Sequence, residues 1–119
     1  MASKNIANIY VNPVADNFLK SVGGVKIAFE NKNNFDVESK VKVEKYNEAK
    51  GVWETSCVLQ GSEGALMANS KVTEELLNNH FFKKGVGKYR VYYEFYKAGT
   101  PFPYFTKLGS LTTSVFNIK

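Results

Sequence analysis

Residues 87 to 96, Gly-Lys-Tyr-Arg-Val-Tyr-Tyr-Glu-Phe-Tyr, alternate with a period of two. Tyr89, Val91, Tyr93 and Phe95 fall on one side, and Arg90, Tyr92, Glu94 and Tyr96 on the other. Successive side chains of a strand point to opposite faces, so the first row reads as core and the second as a surface or contact row. A helix would scatter both rows around its axis. The segment therefore predicts an inner strand of a layered β structure, and the rest of the chain has to supply its neighbours.

Further short apolar runs, separated by turn residues, supply them. Ile6 to Val11 ends at Asn12-Pro13, where proline removes a ladder donor. Val25 to Glu30 places Val25, Ile27 and Phe29 on one face and stops at the polar turn Asn31-Lys32-Asn33-Asn34. Val37 to Tyr46 turns Val37, Val41 and Val43 inward against a charged row of Glu38, Lys40, Lys42 and Glu44. A hairpin over residues 47–51 leads to Val52 to Leu59, with Trp53, Thr55, Cys57 and Leu59 expected on one side. Residues 70–79 admit a short helix capped by Ser70 or Thr73, or a strand; flanking strands favour the strand. Leu111 to Ile118 reads as the last strand. The expectation is an all-β fold, a two-sheet antiparallel sandwich of about seven strands. No repeat or linker divides the chain, and its 119 residues are expected to form a single domain, 1–119.

Composition narrows the chemistry. Cys57 and His80 are each the only residue of their kind, and Asp16 and Asp36 are the only aspartates, which leaves no ordinary metal-ligand set and no disulfide. A nucleophile–base device would have to rest on His80 alone. Glu74-Glu75 and the Asp36/Glu38 pair read as solvated charges rather than opposed glycosidase carboxylates. Gly23-Gly24 and Gly85-Val86-Gly87 lack the lysine and helix of a phosphate loop. The chain is thus expected to be non-enzymatic, with no cofactor and no metal.

The formal net charge is +5, yet Arg90 is the only arginine among 16 basic residues. Lysine lacks the planar fork that reads phosphates and guanine edges, so no sequence-specific nucleic-acid binding is expected. No apolar run approaches the roughly 20 residues of a membrane span, so no transmembrane segment is expected. The N-terminus carries one lysine and no continuous apolar stretch, so no signal peptide is recognised; this fits an intracellular protein or one whose leader has been removed.

The glycines Gly85 and Gly87, then Tyr89, leading into Val91, Tyr93 and Phe95, resemble the start of the sixth strand in immunoglobulin-like and fibronectin type III modules. The wider order is similar to bacterial immunoglobulin-like domains: a strand ending in Glu30-Asn31, a charge-rich third strand, Gly51-Val52-Trp53-Glu54 in a hairpin, and a late Gly87-Lys88-Tyr89-Arg90. The resemblance spans about residues 22 to 118. It implies an immunoglobulin-like sandwich with Tyr89 as a tyrosine corner and Trp53 in a structural place. It also implies a noncatalytic adhesion, binding or spacer module, extracellular or surface-associated.

Two functions follow as expectations. A protein-binding or self-assembling module would use an edge strand, or the loop from Lys97 to Lys107, where Pro101 and Pro103 bracket Phe102 and precede Tyr104 and Phe105. Its contact residues would be Phe102, Tyr104, Phe105, Tyr92, Tyr96 and Arg90. A carbohydrate-binding module would instead offer Trp53, Tyr92, Tyr96 or Tyr104 as a stacking platform for a glycan.

Overall fold

The computed structural model describes residues 4–12, 17–19, 23–59, 66–77, 82, 85–98 and 106–119. These residues contain ten strands: β1 (Lys4–Ile6), β2 (Ile9–Val11), β3 (Asn17–Phe18), β4 (Gly24–Asn31), β5 (Val37–Asn47), β6 (Val52–Leu59), β7 (Ser70–Leu77), β8 (Gly87–Lys97), β9 (Thr106–Thr112) and β10 (Phe116–Ile118). No helix among the described residues is long and apolar enough to cross a membrane. The strands form two sheets. A four-stranded sheet runs β1-β2-β4-β7, and a six-stranded sheet runs β3-β10-β8-β5-β6, with β9 also paired to β8.

The long strands follow their alternation. Val25, Ile27 and Phe29 of β4, Val37, Val41 and Val43 of β5, and Tyr89, Val91, Tyr93 and Phe95 of β8 are all buried and belong to one hydrophobic cluster shared by the two sheets. Offset and edge-to-face ring contacts organise its aromatic part. Phe29 meets Tyr93 edge-on at 5.0 Å, and Phe82 meets Tyr89 in the same way at 5.0 Å. The Tyr89 hydroxyl donates to the Gly85 carbonyl at 2.6 Å, which ties the buried ring to the segment entering β8. Burial raises the pKa of this phenol. Residues 70–77 form a strand paired along its length with β4.

Four departures from the sequence-based expectation have local causes. The segment from Ile6 to Val11 is a hairpin rather than one strand. Ala7 and Asn8 have φ of 49° and 61°, and Ile6 pairs with Ile9. Two consecutive positive-φ residues are the signature of a two-residue turn whose twist suits a hairpin.

On β6 the register against β5 shifts between Cys57↔Val43 and Thr55↔Glu44, leaving Ser56 as an extra residue. This bulge breaks the alternation. Trp53 and Thr55 share the outer face, but Cys57 turns inward and packs against the core.

The last strand begins at Thr106 rather than Leu111 and is interrupted after Thr112. At the break the Val91 amide donates to the Thr113 hydroxyl at 3.0 Å, while the Thr113 amide donates to the Val91 carbonyl at 2.8 Å. A side chain thus replaces one rung of the ladder. β9 tolerates Gly109 because β1 lies against it there: a Cβ on Gly109 would fall 2.5 Å from Ile6 Cγ1.

Finally, β10 pairs with β3 in parallel, so the larger sheet is mixed rather than wholly antiparallel, and the described residues form ten strands rather than about seven. The three shortest additions to the count, β1, β3 and β10, arise from the early hairpin, a two-residue pairing and the Thr113 break.

Candidate functional site

The outer face of the larger sheet is built by cross-strand pairing of two charged rows. Antiparallel register sets Glu38 opposite Tyr96, Lys40 opposite Glu94, Lys42 opposite Tyr92, and Glu44 opposite Arg90. Directly opposed residues on one face are near neighbours, so each charge meets an opposite charge or a ring. This face brings together three residues singled out from the sequence as contacts, Arg90, Tyr92 and Tyr96, and adds Trp53 from β6.

Arg90 is the centre of the arrangement. Its Nε donates to Glu44 Oε1 at 2.9 Å, and its guanidinium carbon stands 4.2 Å from the centroid of the Trp53 ring. Lys42 Nζ lies 3.7 Å from the other oxygen of Glu44. Tyr46, directly opposite Trp53, meets it at 5.3 Å between centroids. Arginine suits this place because its flat cation stacks on an aromatic face while its edge donates to a carboxylate.

The far end of the face is held by Glu94. It accepts the Tyr96 hydroxyl at 2.7 Å and pairs with Lys107 at 3.3 Å. The Tyr96 bond lowers the pKa of the Glu94 carboxyl, with help from Lys107 and Lys40. The same bond, seen from the phenol, pushes Tyr96 up to about 12. Lys40 lies 5.1 Å above the Tyr96 ring, and Lys42 lies 5.6 Å above Tyr92.

At the hairpin end the face runs into a cleft of about 410 Å³ lined by Lys45, Tyr46, Asn47, Glu54, Gly87 and Lys88, among others. The absence of a side chain at Gly87 lets Lys45 lie across it; a Cβ there would sit 2.7 Å from Lys45 Cε. Asn47 Nδ2 donates to Glu54 Oε1 at 3.0 Å, fixing the hairpin base. Val52, Val58 and Val86, all large exposed apolar residues, lie on β6 or at the cleft.

Tyr46, Glu44 and Lys88 were not read from the sequence as contact residues. The charged row of β5 was visible there as alternation. Which residue of β8 each charge would face depends on register, and no short-range signal carries it. Phe102, Tyr104 and Phe105 lie outside the described residues, as does His80. Among the described residues no three His, Cys, Asp or Glu side chains come together as a metal site.

No protein-family model and no curated protein matches the chain.

Proposed function

We propose that this chain is a noncatalytic interaction module of immunoglobulin-like type that binds another polypeptide through the outer face of β5, β6 and β8. The carrying observation is the Arg90–Trp53–Glu44 group set beside β6, an edge strand. Arginine, tryptophan and tyrosine dominate the energetic centres of protein interfaces, and β6 is the outermost strand of this sheet among the described residues.

The immunoglobulin-like part of the reading is supported by strand order. With β2, β4 and β7 as the first, second and fifth strands of such a module, β8 takes the sixth place, flanked by β5 on one side and β9 and β10 on the other. β6 then extends that sheet as it does in variable-type domains. The bond from Tyr89 to Gly85 has the form of a tyrosine corner.

The carbohydrate reading needs ring faces open to a sugar. Arg90 overlies Trp53, and lysines overlie Tyr92 and Tyr96, so a glycan would have to displace a cation at each ring. This favours the polypeptide reading. Residues 99–105 lie between β8 and β9 in sequence, outside the described residues, and Phe102, Tyr104 and Phe105 stay in the proposed contact set.

The test is affinity capture with mass-spectrometric identification of the partner, comparing the intact protein with Arg90→Ala/Trp53→Ala and with Phe102→Ala/Tyr104→Ala/Phe105→Ala, each shown to be folded. A loss of roughly tenfold or more in affinity is expected for the first variant, the scale of an interface hot spot. Unchanged affinity in both variants, or a monomer that binds glycans on an array, refutes the proposal.

A further inference from the structure

The outer face of the larger sheet carries one cation at each of five successive same-face positions along β8. Lys88 and Arg90 belong to β8 itself. At Tyr92 the cation is Lys42 of β5, at Glu94 it is Lys40 of β5, and at Tyr96 it is Lys107 of β9. Same-face positions of a strand are about 7 Å apart, so these cations form a stepped line about 27 Å long. The line crosses three strands, so register rather than sequence order assembles it.

The carboxylates on this face are too few and too deep to neutralise the line. Glu44 is shared by Arg90 at 2.9 Å and Lys42 at 3.7 Å. Glu94 lies between Lys107, at 3.3 Å, and Lys40, directly opposite it. With Glu38 opposite Tyr96, three carboxylates meet five cations. The cleft at the Lys88 end is balanced: Glu54 pairs with Lys50 at 3.9 Å, and Glu48 shares the lining with Lys45. Exposure is as uneven as the count. The side chains of Lys107, Lys42 and Arg90 are 51%, 40% and 32% exposed, against 28% for Glu94 and 13% for Glu44. Glu44 and Glu94 thus sit beneath the bases that share them, and an approaching partner meets positive charge first.

We infer that this line takes an acidic segment of another polypeptide, laid extended along β8 with acidic residues at alternate positions. The inference rests on the interaction-module reading above and adds the chemistry of the partner. An extended chain repeats its same-side side chains every 7 Å or so, which places one carboxylate of such a segment at each cation. Arg90 commits only its Nε to Glu44 among the described residues, so its Nη groups can donate to a second carboxylate.

A single-stranded nucleic acid matches the charges equally well, but its bases need open ring faces on which to stack. Here the cations cover them: Arg90 lies over Trp53, Lys42 over Tyr92, Lys40 over Tyr96, and Lys88 over Tyr46 at 6.0 Å. A carboxylate needs the cations where they are. The observations therefore favour the acidic polypeptide.

The test titrates the full chain into a dye-labelled peptide of about ten residues, glutamate alternating with threonine, and reads fluorescence anisotropy. The comparison probes are a peptide of the same composition with its glutamates in one block, an oligothymidine of equal charge, and vesicles of mixed anionic and neutral phospholipid. The alternating peptide is expected to bind roughly threefold or more tightly than the block peptide, which can turn only about half of its carboxylates to one face. Lys40→Glu/Lys42→Glu is expected to weaken that binding by roughly tenfold or more, and raising salt from about 50 to about 200 mM to weaken it several-fold. Lys88→Gln/Lys107→Gln removes the two ends of the line from different strands; its expected loss of roughly threefold decides the matter should the first variant fail to fold.

Equal affinity for the two peptides, binding that survives the lysine substitutions, or tighter binding to the oligothymidine or the vesicles overturns the inference. So does a lack of binding to the alternating peptide at about 1 mM. A chain that binds no acidic peptide yet captures a polypeptide in a manner dependent on Arg90 and Trp53 overturns the acidic segment and leaves the interaction reading standing.

Discussion

Asn31→Asp exchanges one amino group for an oxygen and leaves side-chain volume almost unchanged, so its effect isolates hydrogen bonding from packing. Asn31 is only 1% exposed, at the end of β4. Its Nδ2 donates to the carbonyls of Phe35 at 3.0 Å, Leu66 at 3.0 Å and Met67 at 3.2 Å. Its Oδ1 accepts from the backbone and side-chain nitrogens of Asn33, each at 3.0 Å. One side chain thus ties the β4–β5 turn to the segment before β7, and through Asn33 Nδ2 to the Ala7 carbonyl in the β1–β2 turn.

The magnitude follows from which groups keep another partner. The Leu66 carbonyl retains the Val37 amide and the Met67 carbonyl retains the Ser70 hydroxyl, so among these three only the Phe35 carbonyl is stranded. Stranding this part-buried acceptor costs about 1–2 kcal/mol, the lower part of the range for a buried one. A new carboxylate oxygen facing three carbonyls adds the penalty of a poorly compensated buried charge, limited because the group can take up a proton instead. The sum is about 3–4 kcal/mol, against a total stability of about 6–18 kcal/mol for a chain of this length.

Urea denaturation followed by tryptophan fluorescence reads this out. With a slope of about 1.5 kcal/mol per molar, the midpoint is expected to fall by about 2 M. The same exchange at exposed Asn34 is expected to change stability by less than about 0.5 kcal/mol. If Asn31→Asp also stays within about 0.5 kcal/mol of the parent, the network is not what holds these three turns together.

Two further predictions concern tyrosines. Tyr89→Phe keeps the buried ring and removes only the bond to Gly85, so a loss of about 1 kcal/mol is expected, a fall in Tm of roughly 3–6 °C by calorimetry; an unchanged Tm would refute a stabilising role for that bond. Tyr96 is expected to ionise near pH 12 in an ultraviolet titration of the folded protein, and Glu94→Gln to return one phenol toward the ordinary range. Because the folded pKa of Tyr96 is raised, its contribution to stability is complete below about pH 10 and is lost as pH rises through about 12. The lowered pKa of Glu94 works at the other end: its contribution is present above about pH 4.5 and is lost as pH falls through the lowered value. An unchanged alkaline titration in Glu94→Gln would show that the Tyr96 bond is not made in solution.

The parts of the fold legible in the sequence are those governed by alternation alone. Val25, Ile27 and Phe29, the β5 valines and the inner row of β8 all lie where period two places them, because one face of each strand had to be dry. The parts that were not legible depend on contacts distant in sequence. Ala7 is a poor signal for a left-handed turn, yet the Asn8 carbonyl accepts the Lys32 amide and helps hold the hairpin against the β4–β5 turn. Thr106 and Lys107 read as the end of a proline-containing loop and the last strand as starting at Leu111, whereas β9 starts at Thr106 and its Gly109 admits Ile6 of β1. For the candidate site, β8 and β5 each displayed an outward row in the sequence, but the pairing of Glu44 with Arg90 is a fact of register.

The β6 bulge shows how such a long-range detail reaches the surface chemistry. Had alternation continued through Ser56, Cys57 would follow Trp53 and Thr55 outward, and Val58 would turn toward the core. The outer face would gain a thiol beside the Arg90–Trp53 stack and lose its exposed valine. With the bulge, the thiol packs inside and the valine stands on the same face as the tryptophan. One extra residue therefore sets the composition of the proposed contact face. A deletion that restored regular alternation would alter that face, even though every interior residue of β5 and β8 kept its place.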